Sequence, residues 1–114
     1  MTREEIDYLR DILDNIDIAS EFVSNLTYEQ FREDQRTIYA VTRAIEIVGE
    51  ATKNISPTLR DRYPTIPWRS IAGMRDKVIH EYFGVNYQIL WDTVQQDFPV
   101  LKKTISRIVS DLES

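Results

Sequence analysis

Apolar side chains recur at steps of three and four along nearly the whole chain, and that period commits it to helices. Ile6, Leu9, Leu13 and Ile16 begin the pattern, and Ala19, Val23 and Leu26 continue it, which predicts a helix over roughly 3–25. Thr2 followed by Glu5 supplies a capping box at its start. No alternating strand pattern of useful length competes. With three glycines (Gly49, Gly73, Gly84) and four prolines (Pro57, Pro64, Pro67, Pro99), the chain has few places to turn.

Those places divide the rest. Thr27-Tyr28-Glu29-Gln30 is a Thr-x-x-Gln cap, predicting a second long helix to about Ile55 with Phe31, Ile38, Val41, Ile45, Val48 and Ala51 on its apolar stripe. Ser56-Pro57 places a capping serine before a proline at the first helical position, so a short helix follows at 57–62. Pro64 and Pro67 bracket a turn. The next helix is predicted from Trp68 to Tyr82, softened at Gly73 and broken by Phe83-Gly84-Val85. Asn86 caps another, and Asp97-Phe98-Pro99 marks a second start before the stripe Leu101, Ile105, Ile108, Val109 and Leu112. The predicted architecture is all-α, an antiparallel up-and-down bundle of four to five helices forming one domain over 1–114.

Composition excludes several chemistries. There is no cysteine, hence no disulfide, thiolate nucleophile or cysteine-based zinc site. No apolar run approaches the roughly 18–20 residues of a membrane span, and the N-terminal MTREEIDYLR lacks a signal peptide's apolar segment, so a cytoplasmic protein without a membrane partner is expected. Net charge is −5, but unevenly spread. Residues 1–35 sum to −7, whereas 53–80 carry Lys53, Arg60, Arg62, Arg69, Arg75 and Lys77 against Asp61 and Asp76, a surplus of +4. A polyanion would be drawn to that second segment despite the acidic total.

The same segment ends on the chain's one histidine. In Arg75-Asp76-Lys77-Val78-Ile79-His80-Glu81-Tyr82 the spacing is Arg-x4-His-x-Tyr. An imidazole that titrates near neutrality can move a proton, and a guanidinium can grip a phosphate through two bonds. On a straight helix Arg75 and His80 stand about 140° apart, whereas Arg75 and Tyr82 share a face. Asp76 is four residues before His80, placed to hold the second ring nitrogen. Glu46 and Glu50 form another i, i+4 pair, but no second histidine accompanies them, so no metal site and no cofactor are expected. Trp68 and Trp91 are expected in the core or at an interface.

Several motifs carry a resemblance to a known family. They are Ala44-Ile45-Glu46-Ile47-Val48-Gly49-Glu50-Ala51, Ile66-Pro67-Trp68, Gly73-Met74-Arg75-Asp76, and the Arg-x4-His-x-Tyr run with Phe83 after it. Over essentially its whole length the chain resembles the HEPN superfamily, and within it the HepT-like toxins of HepT–MntA toxin–antitoxin pairs. The resemblance implies a homodimeric, metal-independent RNA endonuclease with Arg75 and His80 of both subunits at one cleft. It further implies neutralisation by an MntA-like nucleotidyltransferase that transfers AMP from ATP onto Tyr82. Chemistry agrees on the dimer, because cleavage through the 2′-hydroxyl needs both a base and an acid and one chain has a single histidine. An alternative leaves the same residues in a non-catalytic HEPN dimer that binds nucleotide and docks a nucleotidyltransferase.

Overall fold

The computed structural model describes residues 4–74, 76 and 86–114, and among these there is helix and connecting turn but no strand. Helix α1 spans Glu5–Val23, α2 Tyr28–Glu33, α3 Gln35–Lys53, α4 Pro57–Arg62 and α5 Trp68–Ala72. After Asn86 come α6, Tyr87–Asp92, a single π-helical turn at Thr93–Asp97, and α7, Phe98–Glu113. The all-helical class predicted from the apolar period is what the chain adopts.

Three long helices build the frame. At the start of α1, Glu5 accepts the backbone N–H of Ser56 at 2.6 Å, just beyond the end of α3, so α1 and α3 run antiparallel. Helix α7 also runs against α1, tied by Arg10 to Glu113 near one end and by Lys102 to Asp17 at 2.7 Å further along. Between them Leu9, Ile12, Ile16, Val41, Ile45, Val48, Phe98, Ile105 and Ile108 lose nearly all contact with water. Burial of each such side chain contributes roughly 1.5–3 kcal/mol before ordering costs are subtracted.

Local signals place the helix ends. Thr27 and Gln30 form the predicted box, Gln30 N–H donating to Thr27 Oγ1 at 3.1 Å and Thr27 N–H to Gln30 Oε1 at 2.9 Å. Ser56 caps α4 through Leu59 N–H at 3.1 Å, with Pro57 behind it as expected. Asn25, at φ 67°, takes the left-handed conformation that turns the chain after α1.

Two expectations need correction. The cap of α1 is Glu4, whose N–H donates to Asp7 at 3.1 Å. Thr2, expected to form a box with Glu5, lies outside the described residues, and Glu5 accepts the N–H of Ser56. The long helix predicted over 28–55 is two helices, because Asp34 accepts both the N–H of Thr37 at 3.1 Å and its hydroxyl at 2.8 Å. A short acidic side chain that satisfies the next turn's free donors ends one helix and starts another. As expected, Asp97-Phe98-Pro99 marks a second start, with α7 beginning at Phe98. The Phe98 N–H donates to Thr93 O, a five-residue step, so α6 runs through the π turn into α7. Pro99 has no N–H for the carbonyl four residues back and its ring crowds that carbonyl, which the wider turn relieves.

Candidate active site

Arg75, His80 and Tyr82, the residues expected to carry catalysis and modification, lie outside the described residues, as does the helix predicted from Trp68 to Tyr82 at Arg75 and from Lys77 onward. Asp76 lies within them, is helical and is exposed. What the structure defines is the frame from which the chain enters this segment at Met74 and leaves it at Asn86.

The entry is held firmly. Trp68 is 7% exposed, and its indole N–H points to the carbonyl oxygens of Arg60 at 3.2 Å and Tyr63 at 3.1 Å. Ile71 is buried one turn later, seating α5 on α3. A Cβ at Gly73 would meet the carbonyl oxygen of Arg69 at 3.4 Å, an ordinary contact, and its backbone is right-handed helical. Gly73 caps the end of α5, its N–H donating to the carbonyl of Arg69 at 3.0 Å, and Met74 is helical again beyond it. Trp68 belongs to the core, as its sequence context predicted.

The exit is capped as predicted, Asn86 Oδ1 accepting the N–H of Ile89 at 3.0 Å. Behind it Trp91 meets Phe31 at 5.3 Å and Tyr28 at 5.8 Å between ring centroids, which fastens α6 to α2. Arg32 lies over Tyr28 at 5.7 Å and over Tyr87 at 5.8 Å, a cation–π clasp between the same two helices.

The basic surplus before Arg75 is smaller as a free surface than its sum suggests. Arg60 donates from Nε to the carbonyl of Ile55 at 3.1 Å and from Nη2 to that of Thr52 at 2.7 Å, closing the C-terminal end of α3. Lys53 pairs with Glu50 at 3.6 Å, and Arg62 lies over the ring of Tyr63 at 5.8 Å. Arg69 is exposed. Glu46 pairs with Arg43 at 3.7 Å, and among the described residues no three His, Asp or Glu side chains gather as a metal site. The hydroxyl of Tyr63 donates to Asp111 at 2.9 Å, and this bond holds the phenol above its usual value.

A cavity of 400 Å³ opens beside Met74, walled by the stretch from Thr65 to Met74 on one side and by Gln96 to Thr104 on the other. Sequence reasoning passed over Gln96 and Asp97 because Asp-Phe-Pro has the form of a helix start. Asp97 does occupy the cap position of α7, yet its side chain makes no capping bond there.

Comparison with known proteins identifies the family. The family described as Ribonuclease HepT-like matches residues 12–108. "Probable ribonuclease HepT" of Thermococcus cleftensis is 46% identical over 95% of this chain and 98% of its own length. "Putative RNase MJ1216" of Methanocaldococcus jannaschii is 43% identical over 93% of this chain and 88% of its own. "Putative RNase TTE0752" of Caldanaerobacter subterraneus subsp. tengcongensis is 43% identical over 90% and 91%. No solved structure gives a significant match. No helix among the described residues is long and apolar enough to cross a membrane. The chain belongs to the HepT-like ribonuclease family.

Proposed function

We propose that the protein is a metal-independent endoribonuclease, active as a homodimer, and the toxin of a toxin–antitoxin pair. The observation that carries this reading is the chain's one histidine, held in Arg75-x4-His80-x-Tyr82 within a member of the HepT-like ribonuclease family. The anchored α5 supports it, since Trp68 and Ile71 fix the chain a few residues before the motif in sequence.

The chemistry follows from the side chains. One His80 imidazole takes the proton of the RNA 2′-hydroxyl as its oxygen attacks the adjacent phosphorus. The partner subunit's His80, protonated, gives its proton to the departing 5′-oxygen. Two Arg75 guanidiniums offset the charge that builds on the phosphorane. The products are a 2′,3′-cyclic phosphate and a 5′-hydroxyl, and DNA, lacking the nucleophile, is not cut. Asp76, four residues before His80 in the sequence, is the carboxylate that steadies its imidazole. Regulation acts at Tyr82: its oxygen attacks the α-phosphorus of ATP on an MntA-like nucleotidyltransferase, pyrophosphate leaves, and the tyrosyl-AMP occupies the charge that RNA needs.

Cleavage of single-stranded RNA by the purified protein in EDTA tests the reading. His80→Ala and Arg75→Ala should each abolish it while the helical circular dichroism stays intact. Nucleotide binding without cleavage would favour the non-catalytic dimer that docks a nucleotidyltransferase. An active species that is strictly monomeric by light scattering would exclude the shared cleft.

A further inference from the structure

The acid–base chemistry proposed above makes no use of the cavity beside Met74, and its lining has the makings of a binding site. Its 400 Å³ falls in the size range of small-molecule sites. Pro67, Ile71 and Met74 supply apolar surface from the α5 side, and Val100, 68% exposed, supplies it from α7. The polar groups at its edge include Gln96 and Asp97 from the π turn. Both are exposed, and neither side chain makes a hydrogen bond or ion pair among the described residues. A π turn gives up regular helical bonding and is found disproportionately at functional sites. Met74 directly precedes Arg75 in the sequence.

A slot with apolar surface on two sides suits a flat heterocycle, and one place along the chain from a phosphate-binding arginine that heterocycle is a nucleobase. The carboxylate of Asp97 repels phosphate and accepts N–H bonds, so it selects a donor edge. Among the RNA bases, guanine alone presents two adjacent donors, N1–H and the 2-amino group, which a carboxylate accepts side by side. The amide of Gln96 can donate to the neighbouring O6. We propose that this cavity is a nucleobase subsite that holds a guanine flanking the scissile phosphate. The ligand class rests on the ribonuclease reading, and the site itself rests on the cavity.

Two measurements test the site separately from that reading. In the first, cut sites in a randomised RNA pool are mapped for the wild-type protein and for Asp97→Asn. Wild-type cuts should be enriched for guanine at one flanking position by about tenfold, the discrimination expected of a paired base contact, and Asp97→Asn should flatten that enrichment. Inosine in place of that guanine, which removes the 2-amino group, should slow the wild type and leave Asp97→Asn unaffected. Random cutting, or a guanine preference undiminished in Asp97→Asn, overturns the proposal. In the second, GMP, AMP, CMP and UMP are titrated while the methyl signals of Met74 and Thr104 are followed by NMR. GMP should move both, the other nucleotides less, and Asp97→Asn should lose the difference. If no RNA is cut under any condition, the ribonuclease reading fails and this second arm decides alone. A GMP-specific shift dependent on Asp97 then upholds the subsite, and its absence overturns it.

Discussion

Arg60 distinguishes a structural arginine from an RNA-binding one, and the geometry predicts which it is. Its guanidinium closes α3 through the carbonyls of Thr52 and Ile55 at 2.7 and 3.1 Å, in a position where the helix dipole also favours a cation. Charge-assisted bonds of this kind are worth roughly 1.5–3 kcal/mol each, but the site is half-exposed and water replaces part of what Arg60→Ala removes. A loss of about 2 kcal/mol is expected, which lowers Tm by roughly 8–12 °C in a domain of this size. Arg60→Lys keeps the charge but loses the fork, so it should recover about half of the deficit. Thermal unfolding followed by far-UV circular dichroism, with urea denaturation as a check that m is unchanged, measures the effect. RNA binding and cleavage, assayed well below the transition, should match wild type. A Tm shift under about 2 °C together with a several-fold loss of RNA affinity would refute the reasoning and return Arg60 to the basic surface.

Other perturbations probe separate parts of the account. Phe31→Ala, at a side chain with no exposed surface that also packs on Trp91, should cost about 3–5 kcal/mol by urea denaturation. Asp34 has its carboxyl held below the ordinary 3.8, by the N–H of Thr37 first and its hydroxyl second. A carboxyl whose folded value is depressed stabilises above its unfolded value and loses that contribution as pH falls through the folded one. The stability gap between wild type and Asp34→Ala should therefore be full at neutral pH and shrink below about pH 4. Spectrophotometric titration of Tyr63 should show its phenol moving back down in Asp111→Asn, because the bond to Asp111 is what raises it. With the cognate nucleotidyltransferase, ATP and magnesium, intact-mass measurement should find AMP on the wild type and none on Tyr82→Phe. Modification of Tyr82→Phe to the same extent would move the acceptor elsewhere, and Tyr63, bonded to Asp111, is a poor substitute.

Much of the fold was legible because its signals are local. The Thr27 box, the Ser56-Pro57 start and the Asn86 cap each involve side chains that reach only two or three residues, and each holds in the structure. Asp34 was not legible, since an acidic residue between Glu33 and Gln35 is equally at home inside a helix; its choice of Thr37 depends on the path of both helices. The π turn leaves no period of its own, and Pro99 looks the same after a helix start as after a widened turn. Arg60 counted as surface charge because the carbonyls it binds are brought to it by the α3–α4 turn, not by spacing. For the site, the Arg-x4-His-x-Tyr motif falls outside the described residues, and Trp68 was legible as a core aromatic. The cavity was not, because its walls come from stretches some thirty residues apart in sequence.

The central claim is that the chain cuts RNA through its own 2′-hydroxyl with no metal. End-group analysis of the products tests it most directly, using one RNA and its copy carrying a single 2′-deoxy substitution at the cut site, both in EDTA. The account predicts a 2′,3′-cyclic phosphate and a 5′-hydroxyl from the all-ribose strand, no cut at the deoxy position, and no product from His80→Ala. A 5′-phosphate product, cleavage at the deoxy position, or activity that vanishes in EDTA and returns with magnesium would contradict it.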